Sequence, residues 1–192
     1  RGLVGSEMCI RDRAEELRQQ VPVIKEVLEA MNISTIEKAG LEADDLLGTL
    51  SRMCEESGMD VSIISGDRDT LQLATEHVKI RIPKTKQGRT EIEDYYAADV
   101  LAAYQVTPLQ FIELKALMGD TADNIPGVPK VGEKTAQKLV AEFDSIENLL
   151  AHTDQLKGAL KTKVEANREM ITFSKFLATI KVDVPIKLDM TT

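Results

Sequence analysis

Residues 119–136 read Gly119-Asp120-Thr121-Ala122-Asp123-Asn124-Ile125-Pro126-Gly127-Val128-Pro129-Lys130-Val131-Gly132-Glu133-Lys134-Thr135-Ala136. Two aspartates lead into a Pro/Gly-rich turn and then into a helix start that carries lysines. Gly127 and Gly132 permit a tight turn whose backbone can approach a ligand. A helix beginning near Glu133 presents backbone N–H groups that can bind a phosphate, and Lys134 and Lys138 share one face of it. A plain connector between two helices is the bland alternative. The two glycines, the lysines and Thr135 together match a helix–hairpin–helix, an element that holds a nucleic-acid backbone without reading its sequence. Helix capping explains Asp120 or Asp123, but not both.

Two more acidic clusters lie upstream: Glu42-Ala43-Asp44-Asp45 and Asp67-Arg68-Asp69. Glu42 and Asp45, three apart in a helix, lie on one face, while Asp44 points elsewhere. Favourable charge in a first helical turn is the alternative for this cluster. Asp67 and Asp69 follow the β-branched run Val61–Ser65, and ligands of open α/β sheets bind beyond the carboxyl ends of strands. A simple turn at Gly66-Asp67 is the alternative there. Carboxylates converging on one spot repel unless cations neutralise them. No His or Cys lies near any cluster, so ligation by oxygen alone selects hard cations, Mg²⁺ or Mn²⁺. Paired ions of this kind hydrolyse phosphate esters.

The surrounding chain alternates between strand and helix patterns and then becomes helical. Residues 14–31 carry Leu17, Val21, Ile24, Leu28 and Met31 at helical spacing, interrupted by Pro22. Ser34–Ala39 reads as a short strand, 42–56 as a second helix and Thr70–Ala74 as a short one. Val78–Ile82 and Thr90–Ile92 pair as a hairpin across Lys84–Arg89. From Ala97 onward the pattern is helical, apart from the loop at 124–132. The organisation predicted is an α/β core over 14–96 and a helical region over 97–192. Residues 1–13 have no clear periodicity and read as a non-native segment, such as translated adaptor sequence; a native irregular start is the alternative.

Composition narrows the class. The net charge of −8 argues only weakly against a nucleic-acid partner, because the clustered acids account for most of it and phosphate contacts need only local Lys and Arg. No Trp and only 4% aromatic residues argue against a broad base-stacking platform. The two cysteines make neither a disulfide framework nor a zinc cluster, which points to a reducing cytoplasm. No apolar run reaches transmembrane length.

Four ordered motifs, Leu41–Leu47, Ser65–Asp69, Gly119–Gly127 and Val131–Ala136, resemble the 5′-nuclease (PIN-like) domain family, in the form found at the N-terminus of bacterial DNA polymerase I. Flap endonucleases are more distant relatives. The resemblance covers about residues 14–190. It implies a central, mostly parallel sheet flanked by helices, with a C-terminal helix–hairpin–helix subdomain. It also implies structure-specific 5′→3′ exonuclease and 5′-flap endonuclease activity on duplex DNA, in repair and replication, with two divalent ions.

By matching positions, Glu42, Asp44, Asp45 and Asp67 fall to the tighter metal site, and Asp69, Asp120 and Asp123 to the second. Gly127, Val128, Lys130, Gly132, Lys134, Thr135 and Lys138 fall to the DNA-binding hairpin, with K⁺ on carbonyls around Val128–Val131. No catalytic side chain is implied beyond the metal ligands. The expected protein is a monomer in the bacterial cytoplasm, at the nucleoid, with a polymerase domain in its parent chain. The family's first strand, ending in a ligand Asp, and its basic helical arch have no counterpart in this sequence. The chain therefore reads as a gene segment cut at both ends, with a catalytically impaired duplex-binding module as the alternative function.

Overall fold

The computed structural model describes residues 15–86 and 88–186. The expectation for residues 1–13 lies outside them. The chain divides into two compact units, one spanning Ser51–Ile180 and the other comprising the residues up to Leu50 and those from Lys181.

In the larger unit, β1 (Val61–Ile64) runs parallel to β2 (Val78–Lys86), which pairs antiparallel with β3 (Arg89–Tyr95). The sheet is therefore mixed. Val78, Ile80 and Ile82 alternate with Lys79 and Arg81, and the three apolar side chains are buried, as the two-residue period of a strand requires. The β1–β2 crossover contains a 3-10 helix, Arg68–Leu73, whose Leu71 and Leu73 are buried. The hairpin is longer than the sequence pattern suggests. The ladder continues through the expected turn to Lys86↔Arg89, and cross-strand ion pairs accompany it, Lys84 with Glu93 and Arg81 with Asp94 at 2.9 Å.

The rest of this unit is helical: α3 (Ala97–Tyr104), α4 (Pro108–Met118), α5 (Glu133–Phe143), α6 (Ile146–Ala151), α7 (Gly158–Ala166) and α8 (Arg168–Ala178). Helix α4 has Pro108 in its first turn and a capping box. Thr107 Oγ1 accepts from the Gln110 N–H at 3.2 Å, and Gln110 Oε1 accepts from the Thr107 N–H at 3.0 Å. Helix α4 forms the centre of the helical layer, packing against α5, α8 and the 3-10 helix. It buries Phe111, Leu114 and Leu117. Gln72 ties α8 to the 3-10 helix, its amide donating to the Ala178 carbonyl and accepting from the Ile180 N–H, both at 2.9 Å.

The smaller unit contains α1 (Glu15–Ala30) and the first turns of α2 (Ala43–Glu56). Ser34–Ala39, expected as a strand, has no regular structure. It pairs with no strand among the described residues, and Ile33 and Ile36 are exposed at a spacing of three, which gives no alternating strand face. The segment from Lys181 is fastened to α2 by two side chains one turn apart. Asp45 Oδ1 accepts from the Lys181 N–H at 2.9 Å and Thr49 Oγ1 from the Val184 N–H at 3.1 Å. Among the described residues, no helix is long and apolar enough to cross a membrane.

Candidate metal centre and hairpin

The loop between α4 and α5 brings the third acidic cluster to the second. Gly119 ends α4 at φ +75°, and Asp120 and Ile125 exchange backbone hydrogen bonds of 2.9 and 2.8 Å, closing a six-residue loop. Gly127 folds back onto Gly119. A Cβ on Gly127 would stand 2.3 Å from the Gly119 nitrogen, at a φ of +59°. The close approach at Gly127 is to Gly119, and the Gly127 N–H donates to the buried Ser174 hydroxyl at 3.1 Å. The two glycines let the loop shut, and the closed loop fixes both aspartates.

Asp67 caps the 3-10 helix, accepting from the Asp69 N–H at 2.9 Å. The turn expected at Gly66-Asp67 is therefore real, and it delivers Asp69 inward beyond the end of β1. Asp69, Asp120 and Asp123 each offer a carboxylate oxygen within 4.8 Å of the other two. All are partly buried, and Asp67 lines the same cleft.

Lys115, which the sequence reading did not select, rises from α4 into this cluster. Its ammonium contacts Asp120 and lies 2.5 Å from Asp69 Oδ1. The latter is an ionic contact rather than an aligned hydrogen bond, since that buried oxygen has no hydrogen-bond partner. The signal was available: Lys115 and Glu113 are the charged residues of an otherwise apolar or neutral helix, PLQFIELKALM.

One lysine affects the two carboxylates differently. Burial pushes the Asp69 carboxyl above its usual range, aided by the charges of Asp67 and Asp123, and Lys115 only partly offsets this. Asp120 is also raised by burial, but Lys115 and the Ala122 N–H, which donates to it at 2.8 Å, bring it below the usual range. Asp69 is the more deeply buried of the two, which accounts for the opposite outcomes. The Lys115 ammonium itself, though desolvated, is raised by its two carboxylate partners. Lys115 supplies one positive charge against the carboxylates of Asp69 and Asp120. The donor set is all oxygen, which fits a hard divalent cation.

The remaining cluster belongs to the other unit. Asp45 is buried, at 3% exposure, and holds the Lys181 N–H. Glu42 and Asp44 are half-buried at the start of α2.

In the hairpin, Val128 and Val131 point into the core, whereas Lys130, Lys134 and Lys138 are exposed and Thr135 is half-buried. At Val128, the side chain and the N–H are both used within the fold. The side chain is 2% exposed, and the N–H donates to the Leu117 carbonyl at 2.8 Å. Gly132 is the N-cap of α5 in extended conformation, with open space where a Cβ would stand. Lys134, Gln137 and Lys138 line a groove of about 400 Å³ together with Gln105. Glu133 lines the acidic cleft, so the first turn of α5 borders both.

A mixed α/β unit with clustered carboxylates beyond a strand end, followed by a lysine-bearing hairpin, defines a nuclease-type fold. Residues 11–105 match the family model described as 5′-3′ exonuclease, N-terminal resolvase-like domain. Residues 106–192 match 5′-3′ exonuclease, C-terminal SAM fold. The chain belongs to the 5′-3′ exonuclease family. It is 48% identical over 176 residues to DNA polymerase I of Bacillus caldotenax and 47% identical over 176 residues to that of Bacillus subtilis. Each alignment covers 91% of this chain and 20% of the relative, so the chain spans about a fifth of the length of those polymerases. Among solved structures, T5 5′-exonuclease with bound divalent zinc is 26% identical with a TM-score of 0.67, covering 90% of this chain and 64% of that one. The catalytic core of Rad2 in complex with DNA substrate, at 19% identity and a TM-score of 0.57, covers 93% of this chain and 63% of that one and shares the fold.

Proposed function

We propose that this chain is a structure-specific 5′→3′ exonuclease and 5′-flap endonuclease that hydrolyses DNA phosphodiesters with divalent metal. The observation that carries the reading is the convergence of Asp69, Asp120 and Asp123 within 4.8 Å, on a family background of 5′-3′ exonucleases. Asp69, Asp120 and Asp123 would hold one ion. Glu42, Asp44, Asp45 and Asp67 are assigned to metal binding by their positions in the family motifs. Mg²⁺ or Mn²⁺ bound to such carboxylates supplies an activated water and stabilises the leaving oxygen of a phosphodiester.

The chain's own residues prepare the site. The Gly119–Gly127 closure holds Asp120 and Asp123 in place. Lys115 balances part of the charge of Asp69 and Asp120, so the cluster is preorganised at a tolerable electrostatic cost. Lys130, Lys134 and Lys138 hold the DNA backbone beside the cleft, with Gly132 and Thr135 at the start of α5 and a K⁺ on the hairpin carbonyls completing the contact. A polymerase segment in the parent chain, action as a monomer in the bacterial cytoplasm, and a division into 14–96 and 97–192 complete the proposal.

The test of the hairpin is binding of a 5′-flap duplex without turnover, in Ca²⁺. Lys134→Ala with Lys138→Ala should weaken affinity equally for unrelated sequences and flatten its salt dependence by about two phosphate contacts. Unchanged affinity would remove the hairpin from the interface.

A further inference from the structure

The cleft that contains the acidic cluster also carries an aromatic and apolar lining. It holds about 550 Å³, within the range of sites that take one small ligand and far short of a duplex. Its lining combines the charged side chains of Asp67, Arg68, Lys115, Asp120 and Asp123 with Tyr104, Phe111, Leu114 and Met118. Aromatic residues are sparse in this chain, at 4%, yet an edge-to-face pair of them lines the same cleft as the acids. The rings of Tyr104 and Phe111 stand 5.3 Å apart at 84°, and Tyr95 tilts against Tyr104 at 6.3 Å. Phe111 and Leu114 form a buried floor, while Tyr104 and Met118 are half-exposed. This lining is held rigidly: Gln137 of α5 donates to the Tyr104 carbonyl at 2.8 Å, and Gln105 ends α3 in a left-handed conformation.

We propose that this lining is a nucleobase subsite. It would take the base of the single nucleotide whose phosphate meets the acidic cluster, with Tyr104 as the ring on which that base rests. The inference rests on the nuclease reading and deepens it. A nucleotide carries an anionic phosphate and a flat ring, and the lining offers an acidic, metal-binding cluster for the first and aromatic and apolar side chains for the second. A saturated acyl chain would use only the apolar lining. Stacking on an aromatic ring tolerates any base, because every base has a π-face, as an exonuclease without sequence preference requires.

The test measures binding of 2′-deoxyadenosine 5′-monophosphate and of 2-deoxyribose 5-phosphate by calorimetry, in Mn²⁺, to the full chain. The expected result is that the nucleotide binds about fivefold to tenfold more tightly than the sugar phosphate, the size of one base–aromatic stack. Tyr104→Leu should abolish that difference and Tyr104→Phe should keep it. Both variants are checked for a native thermal transition, and the wild-type comparison stands even if Tyr104→Leu does not fold. Equal affinity of the two compounds for wild type, or a difference that survives Tyr104→Leu, overturns the base subsite and leaves the nuclease reading in place. Failure of both compounds to bind in Mn²⁺ overturns the nuclease reading and the subsite together.

Discussion

Lys115 and Gly127 show how much of the site depends on residues that perform no chemistry. Lys115 is 7% exposed and sits between two carboxylates. Removing one partner of a buried ionic group leaves the others uncompensated and costs about 3–5 kcal/mol. Lys115→Met is therefore expected to unfold at a clearly lower temperature than wild type in chelator, and Mn²⁺ should restore part of the loss by replacing the missing positive charge. A chelator melt with no loss would show that Lys115 does not neutralise the cluster. Gly127→Ala must place a methyl group 2.3 Å from the Gly119 nitrogen at a φ of +59°, and an expected cost of about 3 kcal/mol follows from overpacking and left-handed strain together. Gly132→Ala, with open space at its Cβ, should stay within about 1 kcal/mol of wild type. Equal denaturant midpoints for the two variants would contradict the roles given to the two glycines. Both glycines were conspicuous in the sequence, but only the fold distinguishes the one that closes the metal loop from the one that starts a helix.

At the scale of elements, three helices are joined through Lys175 of α8. Its ammonium lies 2.6 Å from Glu113 of α4 and 2.7 Å from Glu147 of α6. Glu113 also accepts from the Ile146 N–H at 3.1 Å, capping α6 from outside. The hydrogen bond from Lys175 holds the Glu147 carboxyl below its ordinary value of 4.5. A depressed carboxylate contributes stability that is fully present above its unfolded value and is lost as pH falls through the folded one. The stability difference between wild type and Glu147→Gln should therefore be constant at neutral pH, begin to shrink as pH falls below about 4.5, and vanish only below the depressed folded value. Urea midpoints measured stepwise in pH would show this, and a difference that persisted into strong acid would sink the coupling. The helices themselves were legible from spacing and caps, as at Thr107-Pro108 and the Gly/Pro-rich loop before α5. Ser34–Ala39 was misread because β-branched residues favour strands only when a partner strand is present. Lys115 was missed because linear spacing does not reveal which residue of an apolar helix points at a site.

For the whole molecule, the acidic motifs gave the family before the structure gave the geometry. Their order along the chain restricts the chemistry more than any single cluster does, since capping, a turn and a helix start each explain one cluster alone. The structure shows that some of those simpler explanations hold as well: Asp67 caps a helix, Asp45 anchors the segment from Lys181, and Asp120 closes a loop. Residues proposed for the chemistry thus also serve the fold, so loss of activity in an acid variant means little unless folding is measured beside it. The most direct measurement is single-turnover cleavage of a 5′-labelled flap duplex in Mg²⁺ or Mn²⁺, comparing wild type with a folded Asp120→Ala, Asp123→Ala double variant. Metal-dependent release of the 5′ flap by wild type, reduced by about a hundredfold or more in the variant, as expected when transition-state charge stabilisation is lost, is the predicted result. Equal cleavage by both proteins, or binding without cleavage by wild type, would contradict it.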